Sequence, residues 1–284
     1  AACMLDGIAA VGCVMLAGSF LHSLLGVGHN FFHQANNPWM HAFDLTLFSS
    51  HHWRISHAIS HHHYANLEMD TEVSSLEPFL YFLSNKPRNS VFVYVSFHLI
   101  LALASTLDFV RHVVACITSR GLVESFRPEN GLVILEACLL IAHHGTKTGL
   151  LLFFLMQATA SWLLAALSFS VHRTEHHWTE GDENAERDFA KLSLSWLVLT
   201  LCRHILATTT DHSVSLPILP SLYLFAGLNY HVTHHLFPTL DISRLKEVED
   251  VVDATCAEFQ VERRKFDFFT LWRATFRRHD MALF

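Results

Sequence analysis

The residues best suited to chemistry in this chain are histidines, which number 23 among 284 residues. They form three boxes, each defined by its members: His29 and His33 (first), His57, His61 and His62 (second), and His231, His234 and His235 (third). Residues three or four apart on a helix share one face, so such imidazoles can converge on one cation. The second ring of an adjacent pair points elsewhere and can serve a neighbouring ion. The boxes therefore predict a site for two metal ions.

The identity of the metal follows from the donor atoms. Neutral imidazole suits zinc, copper, iron and nickel, and the HExxH motif of zinc proteases is not present. So many histidines exceed the needs of one ion and fit an oxygen-activating pair of irons. In the second box, His63 is an alternative to His62, since the spacing does not fix which of them binds. Isolated histidines are interpreted as surface or core residues, namely His22, His41, His98, His112 and His279.

Composition indicates the elements that must position these rings. Apolar residues make up 51% of the chain and charged residues 16%, which favours a membrane protein. The net charge of −7 gives no reason to expect a nucleic-acid partner. Apolar segments occupy 3–28, 91–107, 131–143, 149–171, 192–202 and 216–228. The tail alternates charged and apolar residues at helical spacing, which is typical of an amphipathic helix. Because the boxes lie beside or between apolar segments, the pattern predicts an all-α, membrane-embedded helical bundle with the boxes at one side.

Parity restricts which segments cross the membrane. All boxes must lie on one side to share a site, so an even number of crossings joins residue 63 to residue 172. Three apolar segments lie between them, so one does not cross. Cytosolic loops carry the excess of Lys and Arg, and a hairpin over 131–171 leaves only Lys147 at its far turn. We therefore expect that hairpin to be transmembrane and 91–107 to be an interfacial or re-entrant helix.

Several stretches resemble the membrane fatty acid desaturases, and more closely their cytochrome b5-related branch, near the front-end desaturases. "WRISHAISHHHYANLEMDTEVSSLEP" and "THHLFPTLD" carry the likeness, and "HRTEHHWTEGD" at 172–182 resembles the branch's HHxPxxxxxGD segment. The likeness covers 29–80 and 168–245. It implies one desaturase domain over 1–284, with a transmembrane helix at about 3–29, boxes in 29–80, the hairpin, the last box in 172–241 and a cytosolic amphipathic tail at 242–284.

The resemblance implies a di-iron oxidase in the endoplasmic reticulum membrane, with a cytosolic cap that carries the boxes. The implied iron ligands are His29, His33, His57, His61, His62, His172, His231, His234 and His235. His172 is the family's extra ligand. The implied reaction uses O2 to introduce a double bond into an acyl lipid or acyl-CoA. Electrons come from cytochrome b5 and its reductase, or from a b5 domain fused upstream, because the b5 haem motif HPGG does not occur here and the N-terminal part is expected to be missing.

Acidic residues beside the boxes are expected to orient the imidazoles by accepting their free ring N–H. The candidates are Asp70, Glu72, Glu77, Asp182 and Asp241. Three aromatic residues, Trp39, Trp53 and Phe237, are expected either to line the substrate entrance or to anchor the chain at the bilayer interface.

Two features depart from the family pattern. The stretch "SFSV" stands where family members usually have an Asn before the extra histidine. The segment "KLSLSWLVLTLCR" resembles an insertion before His204, and 192–202 cannot cross the membrane alone. It either stays on the cytosolic face or forms a thin hairpin with 216–228.

Three other functions fit parts of the pattern. A related di-iron fatty acyl or sphingolipid hydroxylase, or a ketolase, would use the same ligands but retain oxygen in its product. A zinc or iron transporter would place histidines inside the spans rather than at their ends. A catalytically inactive relative acting as a scaffold is favoured by the insertion and disfavoured by the intact boxes.

Overall fold

The fold is described by a computed structural model that covers residues 2–34, 37–72, 80–81, 91–119, 127–174, 176–177, 194–276 and 282–283. The helices are α1 (Ala2–Asn30), α2 (Ser50–Trp53), α3 (His62–Tyr64), α4 (Val91–Ser119), α5 (Gly131–His144), α6 (Thr146–His172), α7 (Leu194–Thr208), α8 (Ile218–Phe225), α9 (His231–Leu236), α10 (Leu245–Glu258) and α11 (Phe268–Thr275). A π-helix, Arg54–His61, joins α2 to α3, and 3-10 turns occupy Pro38–Leu45, Pro128–Asn130, Leu228–Tyr230 and Ile242–Arg244.

The strands of the described residues are four dipeptides. Leu80–Tyr81 (β1) pairs antiparallel with Ala282–Leu283 (β4), and Asp211–His212 (β2) pairs in parallel with Lys265–Phe266 (β3). The prediction of an all-α fold is therefore confirmed.

Three helices are long and apolar enough to cross a membrane: Gly7–Asn30, Val95–Val114 and Thr146–His172. They lie within α1, α4 and α6. A hydrocarbon core of about 30 Å needs roughly 20 helical residues. These helices confirm the prediction of an integral membrane protein.

Helices α1 and α6 run side by side and both end at the candidate site. A Cβ at Gly18 would stand 2.6 Å from the carbonyl oxygen of Met156, so only glycine allows this approach. Small residues allow close packing of helices in a membrane, where apolar burial favours no particular contact. The C-terminal residues of the two helices, His29 and His172, therefore lie on the same side of the bundle.

Helix α5 folds back on the half of α6 that is remote from the site. Gly145, at φ 75°, makes the turn, and Gly149 packs against the backbone of Ile141. Further along, Gln157 Nε2 donates to Glu136 at 3.1 Å. The hairpin expected over 131–171 is thus present as packed helices.

Helix α4 instead contacts the half of α6 that leads to the site. The rings of Phe97 and Phe169 are 5.8 Å apart, and Ser161 Oγ accepts from the Ser105 amide at 3.0 Å. Because α4, α5 and α6 all lie between the second box and His172, they cannot all cross. Its greater length favours α4 as a segment that crosses the membrane. Packing against the half of α6 that is remote from the site favours α5 instead, although its 14 residues span only about 21 Å. The interfacial placement of α4 remains a prediction.

The C-terminal elements close the side of the bundle that holds the boxes. Val252 and Cys256 of α10 pack with Leu206 of α7 and Val232 of α9. Helix α8 has eight residues and is about 12 Å long, too short to return α7 across a bilayer. Neither α7 nor α8 is among the candidate spans, which disfavours the thin hairpin and leaves α7 on the side of the site.

Accessible cysteines will decide the topology of α4. In a chain without its six native cysteines, Ser119→Cys is expected to react with a membrane-impermeant thiol reagent from the same side as His63→Cys. Thr148→Cys, near the turn of the α5–α6 hairpin, is expected to react only from the opposite side. Labelling of Ser119→Cys from the same side of the membrane as Thr148→Cys would contradict an interfacial α4.

The contact between α1 and Ala226 predicts a pair of contrasting glycine variants. A Cβ at Gly26 would overlap Ala226 Cβ and lie 2.7 Å from its carbonyl oxygen, whereas nothing lies within 4 Å of one at Gly12. Gly26→Ala is expected to lose about 1–3 kcal/mol, as overpacked sites do, and Gly12→Ala to be neutral or slightly stabilising. Thermal unfolding in detergent measures both, and equal midpoints would contradict the close approach.

Candidate metal centre

In the described part of the chain, the eight histidines of the boxes and His172 form two adjacent groups. The five-His cluster consists of His29, His33, His57, His62 and His234, and the four-His cluster consists of His61, His172, His231 and His235. Within each group one ring nitrogen per residue lies within 4.8 Å of all the others. Every predicted ligand histidine belongs to one of the two groups. His63 is exposed and belongs to neither, so His62 takes the second-box position.

The ring nitrogens lie at the spacing of ligands that share an ion. In the five-His cluster, His57 Nε2 is 2.6 Å from His29 Nε2 and 3.0 Å from His62 Nε2. In the four-His cluster, His172 Nε2 is 2.6 Å from His231 Nε2 and 3.0 Å from His61 Nε2. Two nitrogens bound at about 2.1 Å and at right angles would be ~3 Å apart.

Unsatisfied nitrogens give an independent test of whether metal fits. The buried Nε2 atoms of His33 and His234 have no hydrogen-bond partner among the described residues. A buried polar atom without a partner costs about 1–3 kcal/mol, which a metal ion would relieve. Burial also lowers the pKa of His57, His62 and His234 well below the usual value, and it lowers the pKa of His33 to about 3. Neutral imidazole is the form that binds metals, so these residues fit a pair of ions.

The π-helix corrects the predicted grouping of the second box. The four-residue spacing predicts that His57 and His61 share one ion, but the structure places them in different clusters. A π-helix bonds residue i to i+5, and His57 accordingly meets His62 at 3.0 Å. In α9 the ordinary four-residue spacing holds, because His231 Nε2 is 3.1 Å from His235 Nε2. Each adjacent pair of histidines is divided between the clusters, as the sequence predicts.

Two of the predicted carboxylates contact the rings. Asp70 Oδ2 lies 2.9 Å from His61 Nδ1, and Glu72 reaches His57 Nδ1 at 2.9 Å and His61 Nδ1 at 3.4 Å. Glu72 therefore joins one ring of each cluster. Burial opposes protonation of His61, but the two carboxylates outweigh it and raise the pKa of this ring. Burial raises the pKa of Glu72 to about 7.

The extra histidine is oriented by backbone rather than by a carboxylate. His172 Nδ1 donates to the Thr208 carbonyl oxygen at 2.9 Å, and Asn66 Nδ2 donates to the His172 carbonyl oxygen at 3.0 Å. The last residue of α7, Thr208, thus lies directly behind the site. His204 is buried in α7 and belongs to neither cluster.

Asp241, another predicted acidic residue, contacts other groups than these rings. Asp241 accepts from Asn30 Nδ2 at 2.8 Å and from the Ser243 amide at 2.9 Å. It therefore ties the end of α1 to the start of the tail, which corrects its predicted role in orienting an imidazole. Glu77 and Asp182 lie outside the described residues.

Four of the histidines interpreted as non-ligands are described, and they belong to neither cluster. His22 is buried in α1, His41 contacts Asp44, His98 accepts from Trp162 and His112 packs on His52. His279 lies outside the described residues.

A cavity of about 430 Å³ opens beside the four-His cluster, within the range of small-molecule sites. His61, His172 and Glu72 form one part of its wall. Apolar residues form much of the rest, including Trp53, Ala104, Leu164, Ala165 and Phe169. A smaller void of about 10 Å³ lies between the clusters, against His29, His57 and His231.

Of the three aromatic residues expected near the entrance, only Trp53 lines the cavity. Its ring also stacks on His57, with centroids 5.3 Å apart. Trp39 is 68% exposed and Phe237 45% exposed, and neither borders the cavity. For these two the structure contradicts an entrance role and leaves the interfacial interpretation.

Sequence reasoning missed the residues that hold α9 from behind. Asp211 Oδ1 accepts from the Val232 amide at 2.8 Å, and Arg263 binds Asp211 through two nitrogens, at 2.6 and 3.0 Å. Arg263 stands 28 residues beyond the last ligand in a charged tail, and no spacing rule connects it to the boxes.

A family model described as fatty acid desaturase matches residues 7–267. The chain belongs to the fatty acid desaturase family. A desaturase-family relative, "Acyl-lipid (8-3)-desaturase" of Physcomitrium patens, is 26% identical over 260 residues, or 83% of this chain and 51% of the relative. The "Cytochrome b5-related protein" of Drosophila melanogaster is 29% identical over 254 residues, or 84% of this chain and 53% of the relative. The predicted resemblance is confirmed, and the desaturase-family chain spans about half the length of these relatives. No solved structure matches it significantly.

Neighbouring histidines of the second box give a matched test of the metal centre in this desaturase-family chain. His61→Ala is expected to lower the metal content of purified protein by about one ion, because His61 is buried in the four-His cluster. His63→Ala is expected to keep the wild-type content, because His63 is exposed. Elemental analysis measures both, and unchanged metal in His61→Ala at wild-type folding would refute the assignment.

Glu72→Gln tests the carboxylate that joins the clusters. The amide keeps the shape of the side chain but loses the negative charge that attracts the two ring N–H groups. Metal affinity is therefore expected to fall about 10–100-fold, as is typical when a residue hydrogen-bonded to metal ligands is replaced. Competition with a chelator measures the affinity. Glu68→Gln is the control, because Glu68 is exposed nearby. Equal metal affinities of Glu72→Gln and Glu68→Gln would show that Glu72 does not support the rings.

Proposed function

We propose that this chain is an O2-dependent acyl desaturase that holds one iron ion in each His cluster and takes electrons from a cytochrome b5-type donor. The observation that carries the proposal is the apolar cavity whose wall includes His61 and His172 of the four-His cluster. A metal site beside an apolar cavity suits a reaction on a hydrocarbon chain. Membership of the fatty acid desaturase family supports the same reaction class.

Bound iron would supply the capacity to activate O2 for removal of hydrogen from an unactivated C–H bond, which side chains lack. The five-His and four-His clusters would each hold one ion. The chain's own residues supply position and environment. Glu72 and Asp70 fix the ring orientations from outside, and the small void against His29 and His231 leaves room only for a molecule of about water size.

The cavity wall would align the substrate. Ala104 and Ala165 face it from α4 and α6, so their small side chains leave width for methylene groups. Trp53 and Phe169 supply aromatic walls that exclude water. Polar residues also border the cavity, among them Arg111 and Arg173, so an acyl chain would lie against the apolar wall with its polar end toward these residues.

Charge supports a cytosolic location of the site. Arg111 and Arg173 line the cavity, whereas Lys147 is at the opposite turn of the α5–α6 hairpin. The cytosolic side of a membrane protein carries the excess of Lys and Arg. A cytosolic site in the endoplasmic reticulum would be accessible to cytochrome b5 and its reductase, and the similarity to the Drosophila cytochrome b5-related protein supports a b5 connection.

Expression in yeast followed by mass spectrometry of total lipids tests the reaction. The wild-type chain, co-expressed with cytochrome b5 and its reductase, is expected to yield acyl chains that have lost two hydrogen atoms. His61→Ala is expected to yield none, while His63→Ala remains active. A product that has gained an oxygen atom would instead establish a hydroxylase, and no product at full metal content would contradict the desaturase proposal.

Narrowing the cavity is expected to change substrate use without changing the metal. Ala165→Phe inserts a ring into the cavity and should lower conversion of long acyl chains at least tenfold relative to shorter ones. Ala158→Phe, on the same helix but not bordering the cavity, should not. Lipid profiles measure the ratio, and metal content confirms folding. An unchanged chain-length profile in Ala165→Phe would remove the cavity from the acyl path.

A further inference from the structure

The third box is carried by α9, a helix of six residues whose N-cap, Tyr230, makes no side-chain capping bond. The first amide groups of a helix have no partner within it and require one from elsewhere. Asp211 supplies that partner, because its Oδ1 accepts from the Val232 amide at 2.8 Å. A carboxylate at a helix N-terminus also interacts favourably with the helix dipole. The carboxylate that caps α9 thus comes from β2, twenty residues earlier in the chain.

Arg263 fixes this carboxylate and also grips α9 itself. Its Nε and Nη2 donate to Asp211 Oδ2 at 3.0 and 2.6 Å, and Nη2 also donates to Thr233 Oγ1 at 2.9 Å. Thr233 Oγ1 in turn donates to Glu249 Oε2 at 3.1 Å. The side chains of Arg263 and Asp211 are 4% and 0% exposed. A buried pair with several hydrogen bonds is geometrically restrictive, because removing one partner leaves the other uncompensated.

The same short segment contacts His172. The Thr210 amide donates to the Val171 carbonyl oxygen at 3.1 Å, and the Thr208 carbonyl oxygen accepts from His172 Nδ1 at 2.9 Å. Residues 208–211 therefore lie between His172 and α9. Their position sets the distance between His172 and His231, whose Nε2 atoms are 2.6 Å apart in the four-His cluster.

We propose that Arg263 and Asp211 are positioning residues of the metal centre, which lock the third-box helix at the spacing from His172 that one metal ion requires. This inference rests on the metal site of the proposed function. Neither residue contacts a ligand ring. They act through the backbone of Val232 and the hydroxyl of Thr233, which flank the ligands. Loss of Arg263 is therefore expected to weaken metal binding, beyond any loss of stability.

Anaerobic titration of the purified full chain with Fe²⁺ tests the proposal, using Arg263→Gln and Thr233→Val. Thr233→Val removes one hydroxyl and leaves the ion pairs, so it remains informative if Arg263→Gln does not fold. Both variants are expected to bind the weaker of the two irons about 10–100-fold less tightly, which is the typical effect of replacing a residue that supports metal ligands. Their Mössbauer spectra are expected to differ from wild type. Matched controls are Arg264→Gln and Thr255→Val, whose side chains contact Glu262 and the Val251 carbonyl oxygen.

Thermal unfolding of the metal-free chains separates positioning from general stability. A purely structural role predicts a lower unfolding midpoint but wild-type iron affinity and spectrum in the folded fraction, and that result overturns the inference. Wild-type affinity in folded Thr233→Val overturns it equally if Arg263→Gln does not fold. A wild-type chain that binds fewer than two irons contradicts the metal site of the proposed function and removes the basis of the inference. Two irons without a lipid product contradict only the desaturase activity.

Discussion

The burial of nine imidazoles around two points is the constraint on which the rest of the structure depends. Buried nitrogens require partners, yet in each cluster they face one another at about 3 Å, where a lone pair meets another lone pair or at best one N–H. Burial lowers the pKa of His57 and His235 well below the usual value, which favours the neutral imidazole that binds metals. The ends of α1 and α6, the π-helix and α9 are placed where a cation can satisfy rings that cannot satisfy one another.

The boxes differ in how their rings are held in place. In the second box, Asp70 and Glu72 accept from the outer nitrogens of His57 and His61. His172 uses a backbone carbonyl. In the third box the outer nitrogens of the rings have no partner among the described residues, and the helix as a whole is fixed by Asp211 instead. Side chains therefore orient rings of the second box, whereas the position of the whole helix orients the rings of the third.

Spacing located the eight histidines of the boxes and the family resemblance added His172, but neither divided the nine into the two clusters. The residues around His29, His172 and His231 form recognisable motifs, and the length of the apolar segments located α1 and α6. The pairing of His57 with His62 depends on a π-helix, which no local residue signal marks. The roles of Arg263 and Asp241 depend on contacts across more than 50 and 200 residues, so periodicity cannot reveal them. Placement of α4 is ambiguous for a different reason, since its composition suits both a span and an interface.

The contact of Arg263 with Asp211 has a consequence for biogenesis. During synthesis the N-terminal part of the chain emerges first, so α1 can enter the bilayer while the tail is still inside the ribosome. Asp211, which caps α9, is not held by Arg263 until residue 263 has emerged and β3 has paired with β2. The second box can therefore offer rings to an ion long before the third box is held in place. For the proposed iron site, a nascent chain would be exposed in that interval to capture of an unsuitable metal, and correct loading would be a late event in maturation.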